Sequence, residues 1–203
     1  LRSAPKWRKA PEFMRKLSDS NTWVAVRLGF EWMVLSGART NEVTHARWED
    51  IDRAGKCWHA KPDEAENKRR GDVPLTPRML EILEAMKPHR MPGSAWIFPS
   101  QQRQTRSKHR EDRGHPPISN EAFRQVLGRM KLSVTGHGFR STFKTWAAES
   151  PQGRQLQIPE VVVEAALGHS ERDAIRAAYT RADYWEQRVQ LANAWHDFLV
   201  KRA

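Results

Sequence analysis

Two short motifs each place basic side chains where they could bind an anion. His137 and Arg140, in the segment TGHGFRST, are three residues apart and would share one face of a helix. Arg39, in SGARTNEV, precedes a predicted helix N-terminus, which is a favourable place for an anion. Each motif has an ordinary alternative, because histidine and arginine are common on solvated helices and turns. Anion binding by these residues is therefore a hypothesis that needs support from the rest of the chain.

A histidine and a tyrosine farther along could add acid–base or nucleophilic chemistry. His169 follows Gly168 at the predicted end of a helix, where a histidine can also serve only as a cap. Tyr179 carries a phenol that can act as a nucleophile, although a phenol beside alanines more often packs against its neighbours. Taken singly, these residues leave both interpretations open.

The charge of the chain favours a nucleic acid as its partner. Its 35 Lys and Arg against 24 Asp and Glu give a net charge of +11, and phosphate neutralisation dominates nucleic-acid affinity. A basic protein without such a partner is the less favoured alternative. The polar loop 100–117 is either solvated or in contact with phosphates. The candidate DNA contacts, in this loop and in an earlier charged hairpin, are Arg103, Arg106, Lys108, Arg110, Arg69 and Arg70.

Length and composition predict one folded domain. A chain of 203 residues can bury about 70% of its unfolded surface, and 38% hydrophobic residues with nine Trp exclude a disordered chain. The single Cys57 cannot form an internal disulfide, which suggests a reducing compartment. No apolar run reaches the roughly 18 residues of a membrane span, and the basic N-terminus lacks the apolar stretch of a secretory signal. Because the chain does not begin with Met, we expect it to be a piece of a longer protein.

The elements that must position these residues are mainly helices. Strands at 48–51, 56–60 and 73–75 predict a small antiparallel sheet with a charged hairpin projecting from it. Cys57 is interpreted as a core residue on the second strand, alternating with exposed Lys56 and Trp58. Apolar spacing and capping residues predict helices at 21–35, 40–47, 76–87, 119–130, 137–149, 159–167, 171–178 and 183–199. The fold class is therefore α+β, mainly α-helical with a small antiparallel β-sheet.

The two ends of the chain have their own predictions. Residues 1–17 are predicted to be a linker with a short helical turn around Pro11–Leu17. The last helix could pack on its own domain or dock on a neighbouring protomer, and its spacing does not choose between them. Its apolar stripe is predicted to contain Trp185, Val189, Ala192, Trp195 or His196, and Leu199.

The order of the candidate residues along the chain is more specific than any one of them. That order is Arg39, Lys68, His137, Arg140, His169 and Tyr179. With these residues the chain resembles the catalytic domain of the tyrosine recombinases, and most of all the integrases of prophages and genomic islands. The resemblance covers about residues 21–199. Its segments are LSGARTNEVTHARWEDID, VPLTPRMLEIL, AWIFPS, GHGFRSTFKTWAAE, ALGHSERDAIRAAYTRADYWEQR and WHDFL.

The resemblance implies a role for each of these residues in cleaving a DNA phosphodiester. Arg39 and Arg140 are the family's two arginines, which bind non-bridging phosphate oxygens as planar, permanently charged forks. His137 opens the His-x-x-Arg motif, and His169 stands at the second histidine position. Tyr179 is the nucleophile, which becomes joined to the 3′ phosphate.

The position of the lysine is the one that the resemblance to the family assigns least directly. The resemblance implies a hairpin lysine that protonates the departing 5′ oxygen. Lys68 is assigned this role, with Lys61 as the alternative because this hairpin has its own length. No metal and no cofactor are implied, since arginines take the metal's place and the eight histidines lack zinc-binding spacing. Glu42 and Asp50 are interpreted as structural supports near the site.

The resemblance also implies a domain organisation, binding partners and a cellular location. Residues 18–203 form the catalytic domain, with a C-terminal helix at 183–200, and 1–17 lead from an N-terminal DNA-binding region outside this sequence. The partner is double-stranded DNA, on which the protein forms a homotetramer although it is a monomer when free. No membrane is involved, and the expected location is the bacterial cytoplasm, at the nucleoid.

Three other functions remain as alternatives. A topoisomerase-like enzyme would rejoin the strand that it had cleaved. The resemblance of the segments quoted above to integrases disfavours this alternative. A remnant of an integrase would bind DNA without chemistry, which the six filled positions disfavour without excluding. A metal-dependent nuclease is disfavoured because the sequence shows no clustered acidic ligands.

Overall fold

The computed structural model describes residues 4–61, 71–102, 114–168 and 184–200. The helices in these ranges are α1 (Ala10–Ser18), α2 (Val24–Ser36), α3 (Thr40–Thr44), α4 (Pro77–Met86), α5 (Asn120–Arg129), α6 (Gly138–Glu149), α7 (Pro151–Gln155), α8 (Glu160–Ala166) and α9 (Trp185–Val200). Short 3₁₀ helices lie at Trp7–Lys9, Trp48–Asp50 and Lys87–His89. The strands are β1 (Ile51–Asp52), β2 (Cys57–Ala60) and β3 (Gly71–Pro74). The predicted α+β class, mainly helical with one small sheet, is confirmed.

Helix α2 is the centre of the domain. It is apolar on nearly all sides, as a helix enclosed by other elements must be, and it contacts α1, α3, α4, α5 and α9. A side chain at Gly29 would meet Ile118 Cδ1 at 3.0 Å, so glycine lets a neighbouring loop approach the helix closely. Gly37, predicted to stop the helix, does so in the left-handed conformation with φ of 60°.

The sheet is antiparallel with the order β1-β2-β3, and His59 lies opposite Asp72. Trp58 is buried against Trp32, with ring centroids 5.5 Å apart, and Cys57 lies on the other face with His59. The predicted exposure of Trp58 is therefore wrong. Cys57 is buried, but it stands outside the main apolar cluster. The large indole takes the core face because it removes far more apolar surface from water than a thiol does.

The segment predicted as a linker contributes to the core. The expected turn around Pro11–Leu17 is the longer helix α1, which buries Phe13 against Phe30 and Phe139. Trp7 is also buried and donates a hydrogen bond to Glu149 at 3.3 Å. From Trp7 onward the N-terminal segment is therefore packed on the domain, and its connection to an upstream region stays a prediction.

Helix α9 packs on its own domain. Its buried stripe is Arg188, Leu191, Trp195 and Leu199, so the predicted stripe is correct at its C-terminal end and rotated at its start. Trp195 donates a hydrogen bond to the Val34 carbonyl at 2.9 Å. Arg188 is buried in place of Val189 because its guanidinium bonds the Asp72 carbonyl on β3. This polar contact offsets the cost of burying a charge.

The other predicted helices that fall on described residues are present. Helices α4, α5, α6 and α8 lie within the predicted ranges, whereas α3 ends at Thr44 instead of 47. Helix α7 follows α6 directly and was not predicted; Ser150 caps it by accepting a hydrogen bond from Gly153 N at 2.8 Å. The strand predicted at 48–51 is a 3₁₀ turn followed by β1. In the ranges that the structure describes, none of the helices has the length and apolarity to cross a membrane.

Candidate active site

Arg39 lies in the tight connection between α2 and α3. Its side chain is 8% exposed, and its guanidinium donates to Glu42 Oε1 at 2.9 Å. The other oxygen of Glu42 accepts the Arg39 backbone N–H at 2.7 Å. One buried carboxylate therefore closes the first turn of α3 and orients the arginine, as expected of a structural support. The guanidinium also donates to the Gly168 carbonyl at 3.3 Å.

Arg140 lies in the first turn of α6, far from Arg39 in the sequence, and its side chain reaches the same region. It is 3% exposed, and its two terminal nitrogens donate to the carbonyls of Gly37 and Leu167, each at 2.6 Å. Hydrogen bonds to a charged donor are among the stronger ones, at about 1.5–3 kcal/mol each. The side chain is therefore held in one orientation by backbone atoms that the rest of the fold fixes.

Two helix ends meet at this point and bring the two arginines together. Gly37 ends α2 and Gly168 follows α8, both with left-handed backbone, and a side chain at Gly37 would lie 3.2 Å from Leu167. Arg140 bonds the Leu167 carbonyl while Arg39 bonds the next one, of Gly168. Helix C-termini carry partial negative charge and favour cations. The structure thus places both guanidinium groups within one small set of carbonyls, whereas the sequence pattern showed the two arginines only as separate motifs.

His137 immediately precedes α6, three residues before Arg140. It is exposed, and its carbonyl accepts the Arg140 N–H at 3.1 Å. A side chain at the preceding Gly136 would lie 3.1 Å from Met33 Cε and 3.7 Å from Thr40 Oγ1. The loop that carries His137 therefore packs beside the first turn of α3, next to Arg39.

Lys61, the alternative to Lys68, is tied to two carboxylates. Its ammonium lies 3.0 Å from Asp50 Oδ1 and 3.1 Å from Glu49 Oε1. The hydrogen bond with Asp50 is the main cause of the raised pKa of Lys61. A lysine held this way gives up its proton less readily. Asp50, 6% exposed, also accepts the Arg47 N–H at 3.3 Å and so supports the start of the hairpin.

The remaining candidates lie outside the described residues. They are Lys68, His169, Tyr179 and all six proposed DNA contacts, Arg69, Arg70, Arg103, Arg106, Lys108 and Arg110. The main site features that were not predicted from the sequence are the carbonyls of Gly37 and Leu167, which hold Arg140 in place. Their only trace in the sequence is a glycine after each of the two helices.

Replacing Glu42 with alanine should lower the free energy of unfolding by about 3–5 kcal/mol, because it breaks a buried ion pair. Chemical denaturation followed by tryptophan fluorescence measures the change. Glu121 is the matched control, since it pairs with Arg124 at the same three-residue spacing but is 57% exposed. Its replacement by alanine should change stability by less than about 1 kcal/mol. Equal losses in the two variants would contradict the interpretation of Glu42.

Comparison with known proteins assigns the chain to a family. The model of the phage integrase family matches residues 8–186, which include both arginines and all of α6 and α8. The chain belongs to the phage integrase family. The resemblance to tyrosine recombinases is therefore confirmed at the level of the family.

Relatives of this integrase-family chain include proteins of bacteria and phages. Prophage integrase IntA of Escherichia coli (strain K12) is 32% identical over 195 residues, covering 95% of this chain and 43% of the relative. The integrase of Enterobacteria phage P4 is 27% identical over 203 residues, covering 93% of this chain and 43% of its own length. The integrase of Shigella phage Sf6 is 22% identical, with 95% and 46% covered. The chain thus spans less than half the length of these relatives.

Proposed function

We propose that this chain is the catalytic domain of a site-specific DNA recombinase that integrates or excises a mobile element. It cleaves one DNA strand with Tyr179, holds the 3′ end as a phosphotyrosyl ester, and transfers it to another strand. The convergence of Arg39 and Arg140 on the carbonyls of Gly37, Leu167 and Gly168 is the observation that carries the proposal. Family membership and the names of the relatives support it.

The two arginines bind the phosphate that is attacked. The five-coordinate transition state carries more negative charge on its non-bridging oxygens than the diester does, and fixed cations stabilise it without reorganising. Arg140 is held by neutral carbonyls, so these bonds orient it without cancelling its charge. Burial strengthens its attraction for an anion, because the local dielectric constant is lower than in water.

Attack by Tyr179 requires a proton acceptor and a proton donor. At pH 7 only about one free phenol in a thousand is ionised, and nearby cations lower the phenol pKa. His137 accepts the phenol proton as the phenolic oxygen bonds to phosphorus, and His169 donates a hydrogen bond to a non-bridging oxygen. The bond from phosphorus to the 5′ oxygen breaks, and Lys68 supplies the proton for the departing hydroxyl. Since the ester keeps the bond energy, rejoining needs no ATP.

Lys68 is preferred to Lys61 for the last step. Lys61 is bound to Asp50 and Glu49, which raise its pKa and hold its ammonium at the start of the hairpin. A general acid works best with a pKa near the operating pH. The contacts of Lys61 therefore suit a structural role better than proton donation.

The partners and setting follow from the same function. The substrate is double-stranded DNA, contacted by the basic residues named above, and the active assembly is a tetramer formed on DNA from free monomers. Trp195 and Leu199 of α9 are buried by their own domain, so in the monomer this helix completes the core. The protein acts in the bacterial cytoplasm, at the nucleoid.

A nicked duplex incubated with the protein in EDTA tests the proposal. A nick just beyond the cleavage point makes the released fragment, which carries the free 5′ hydroxyl, short enough to diffuse away. Without this hydroxyl the strand cannot be rejoined, and the protein stays attached to the 3′ end. The expected result is a protein–DNA complex that survives SDS. Loss of cleavage in EDTA would favour a metal-dependent nuclease, and retardation without any adduct would favour a DNA-binding remnant of an integrase; either result contradicts the proposal.

DNA affinity of this chain alone should be weak and steeply dependent on salt. With about six phosphate contacts, affinity falls roughly 10³-fold between about 50 and 200 mM salt. Fluorescence anisotropy with a labelled duplex measures this dependence. Tight binding at the higher salt concentration would show that the domain needs no upstream segment to clamp DNA, contrary to this expectation.

A further inference from the structure

Three potential metal ligands meet on the outer face of the small sheet. Cys57 and His59 are two residues apart on β2 and point to the same side, and the register places Asp72 of β3 opposite His59. The His59 Nδ1 lies 2.8 Å from Asp72 Oδ1 and 3.8 Å from the Cys57 sulfur. All three ligand atoms lie within 4.8 Å of one another.

The spacing of the three ligand atoms is close to what the tetrahedral geometry of zinc requires. With bonds of about 2.0–2.3 Å to sulfur, nitrogen and oxygen, ligand atoms in such a site are about 3–4 Å apart. The observed separations lie close to that range, so small side-chain rotations can close the site. The Cys57 residue is 5% exposed, whereas the side chains of His59 and Asp72 are 53% and 48% exposed. The cluster is therefore accessible to an ion from solvent through its histidine and aspartate.

The surroundings of the cluster are acidic and its backbone is fixed. Asp52 of β1 pairs with Cys57 and adds negative charge on the same side of the sheet. Burial raises the pKa of the Cys57 thiol to about 11, and the hydrogen bond with Asp72 raises the pKa of His59. A bound cation would displace the thiol proton and the proton shared by His59 and Asp72. Arg188 bonds the Asp72 carbonyl and so holds the start of β3 in place.

We propose that Cys57, His59 and Asp72 form a zinc site with a fourth position for water. A thiolate with an imidazole selects zinc over magnesium or calcium, which prefer oxygen ligands. The ion would join β2 to β3 at the two ends of segment 61–70, the part of the chain that contains Lys68. It would act there as a structural clamp that strand cleavage does not require, so removal of the ion by EDTA leaves the phosphate chemistry assigned to the arginines intact.

Cobalt titration of the purified chain tests the site, with a phosphine as reductant because dithiols bind zinc themselves. Cys57 is the single cysteine, so a near-ultraviolet thiolate-to-cobalt charge-transfer band can come from no other residue. We expect this band to saturate at one ion per chain and to disappear when one equivalent of zinc is added. Magnesium in large excess should leave it unchanged.

Variants assign the ligands. His59→Gln and Asp72→Asn change half-exposed side chains, so both variants should fold normally. Each should weaken zinc binding at least about tenfold, because loss of a residue that only supports a metal ligand already lowers metal affinity about 10–100-fold. Competition with a chromophoric chelator measures the affinity. Cys57→Ser should remove the charge-transfer band. His196→Gln is the control for loss of a histidine paired with a carboxylate outside the cluster, because His196 contacts Asp197 at 2.9 Å, although its side chain is only 12% exposed. It should bind zinc as the unmodified chain does.

Three results would overturn the proposal. They are the absence of a charge-transfer band in the unmodified chain, displacement of cobalt by magnesium, and zinc affinity unchanged in both His59→Gln and Asp72→Asn. The last result would mean that His59 and Asp72 form only an ion pair. Circular dichroism of each variant shows whether a loss of binding reflects loss of folding, and the titration of the unmodified chain decides the question without any variant.

Discussion

Replacement of Tyr179 by phenylalanine should abolish the SDS-resistant complex with nicked DNA. The substitution removes one oxygen atom, and without it no ester to the 3′ phosphate can form. Loss of a catalytic nucleophile typically costs about 10⁶-fold, so adduct formation should fall below detection. DNA binding measured by anisotropy should stay within about twofold, because phosphate contacts dominate the affinity and a single exchange of hydroxyl for hydrogen leaves those of the arginines intact.

Tyr184 provides the matched control for this experiment. It is the second of the two tyrosines, and it stands just before α9 with φ of 53°, its carbonyl accepting the Arg188 N–H at 2.9 Å. Phenylalanine keeps these backbone interactions, so Tyr184→Phe should form the covalent complex at the normal rate. If this variant lost the adduct while Tyr179→Phe kept it, the assignment of the nucleophile would be wrong.

Replacement of Arg140 by lysine should slow cleavage by about 10³-fold, because it removes oriented donors to the transition state. An ammonium is a single point charge and cannot donate to Gly37 and Leu167 in the fork geometry that the guanidinium uses. It would therefore meet the phosphate without a fixed orientation, although the positive charge is kept. Loss of one well-placed donor to a transition-state oxygen costs about 10²–10³-fold, and this side chain supplies more than one. Single-turnover cleavage of the nicked duplex measures the effect.

Arg154 is a suitable control for the arginine experiment. It is exposed and donates to a backbone carbonyl, that of Ala148, at 3.3 Å. Arg154→Lys should cleave at nearly the normal rate. This result would show that slow cleavage by Arg140→Lys comes from the position of Arg140 and not from replacing an arginine with lysine in general. Thermal unfolding of Arg140→Lys, compared with its cleavage rate, identifies any loss due to unfolding. A folded Arg140→Lys protein with normal cleavage would remove Arg140 from the proposed site.

Most of the helices and the membership of the family could be predicted from the sequence because both depend on local patterns. Helix α2 has apolar residues at helical spacing and a glycine stop, and α6 and α8 begin and end close to the predicted residues. The segments around Arg39, Arg140 and Gly168 also carry the family resemblance. In these regions capping, apolar spacing and tertiary packing all favour the same structure.

The errors arose where one tertiary contact decides between two local possibilities. A strand of four residues has too few alternations to show which face is buried, so the burial of Cys57 was predicted but that of Trp58 was not. The phase of α9 depends on Arg188, whose burial is explained by a carbonyl on β3 that is far away in sequence. The carbonyls that hold Arg140 could not be identified for a similar reason, since every residue has one and only the fold selects which face inward.

The covalent bond between Tyr179 and DNA gives the most direct test of the proposed function. The unmodified chain is trapped on nicked DNA in EDTA, digested with nuclease and protease, and analysed by mass spectrometry for a peptide that carries a nucleotide. We predict one modified peptide, with a 3′-linked nucleotide on the oxygen of Tyr179. A nucleotide attached to any other residue, or DNA cleaved with no attached peptide, would contradict it.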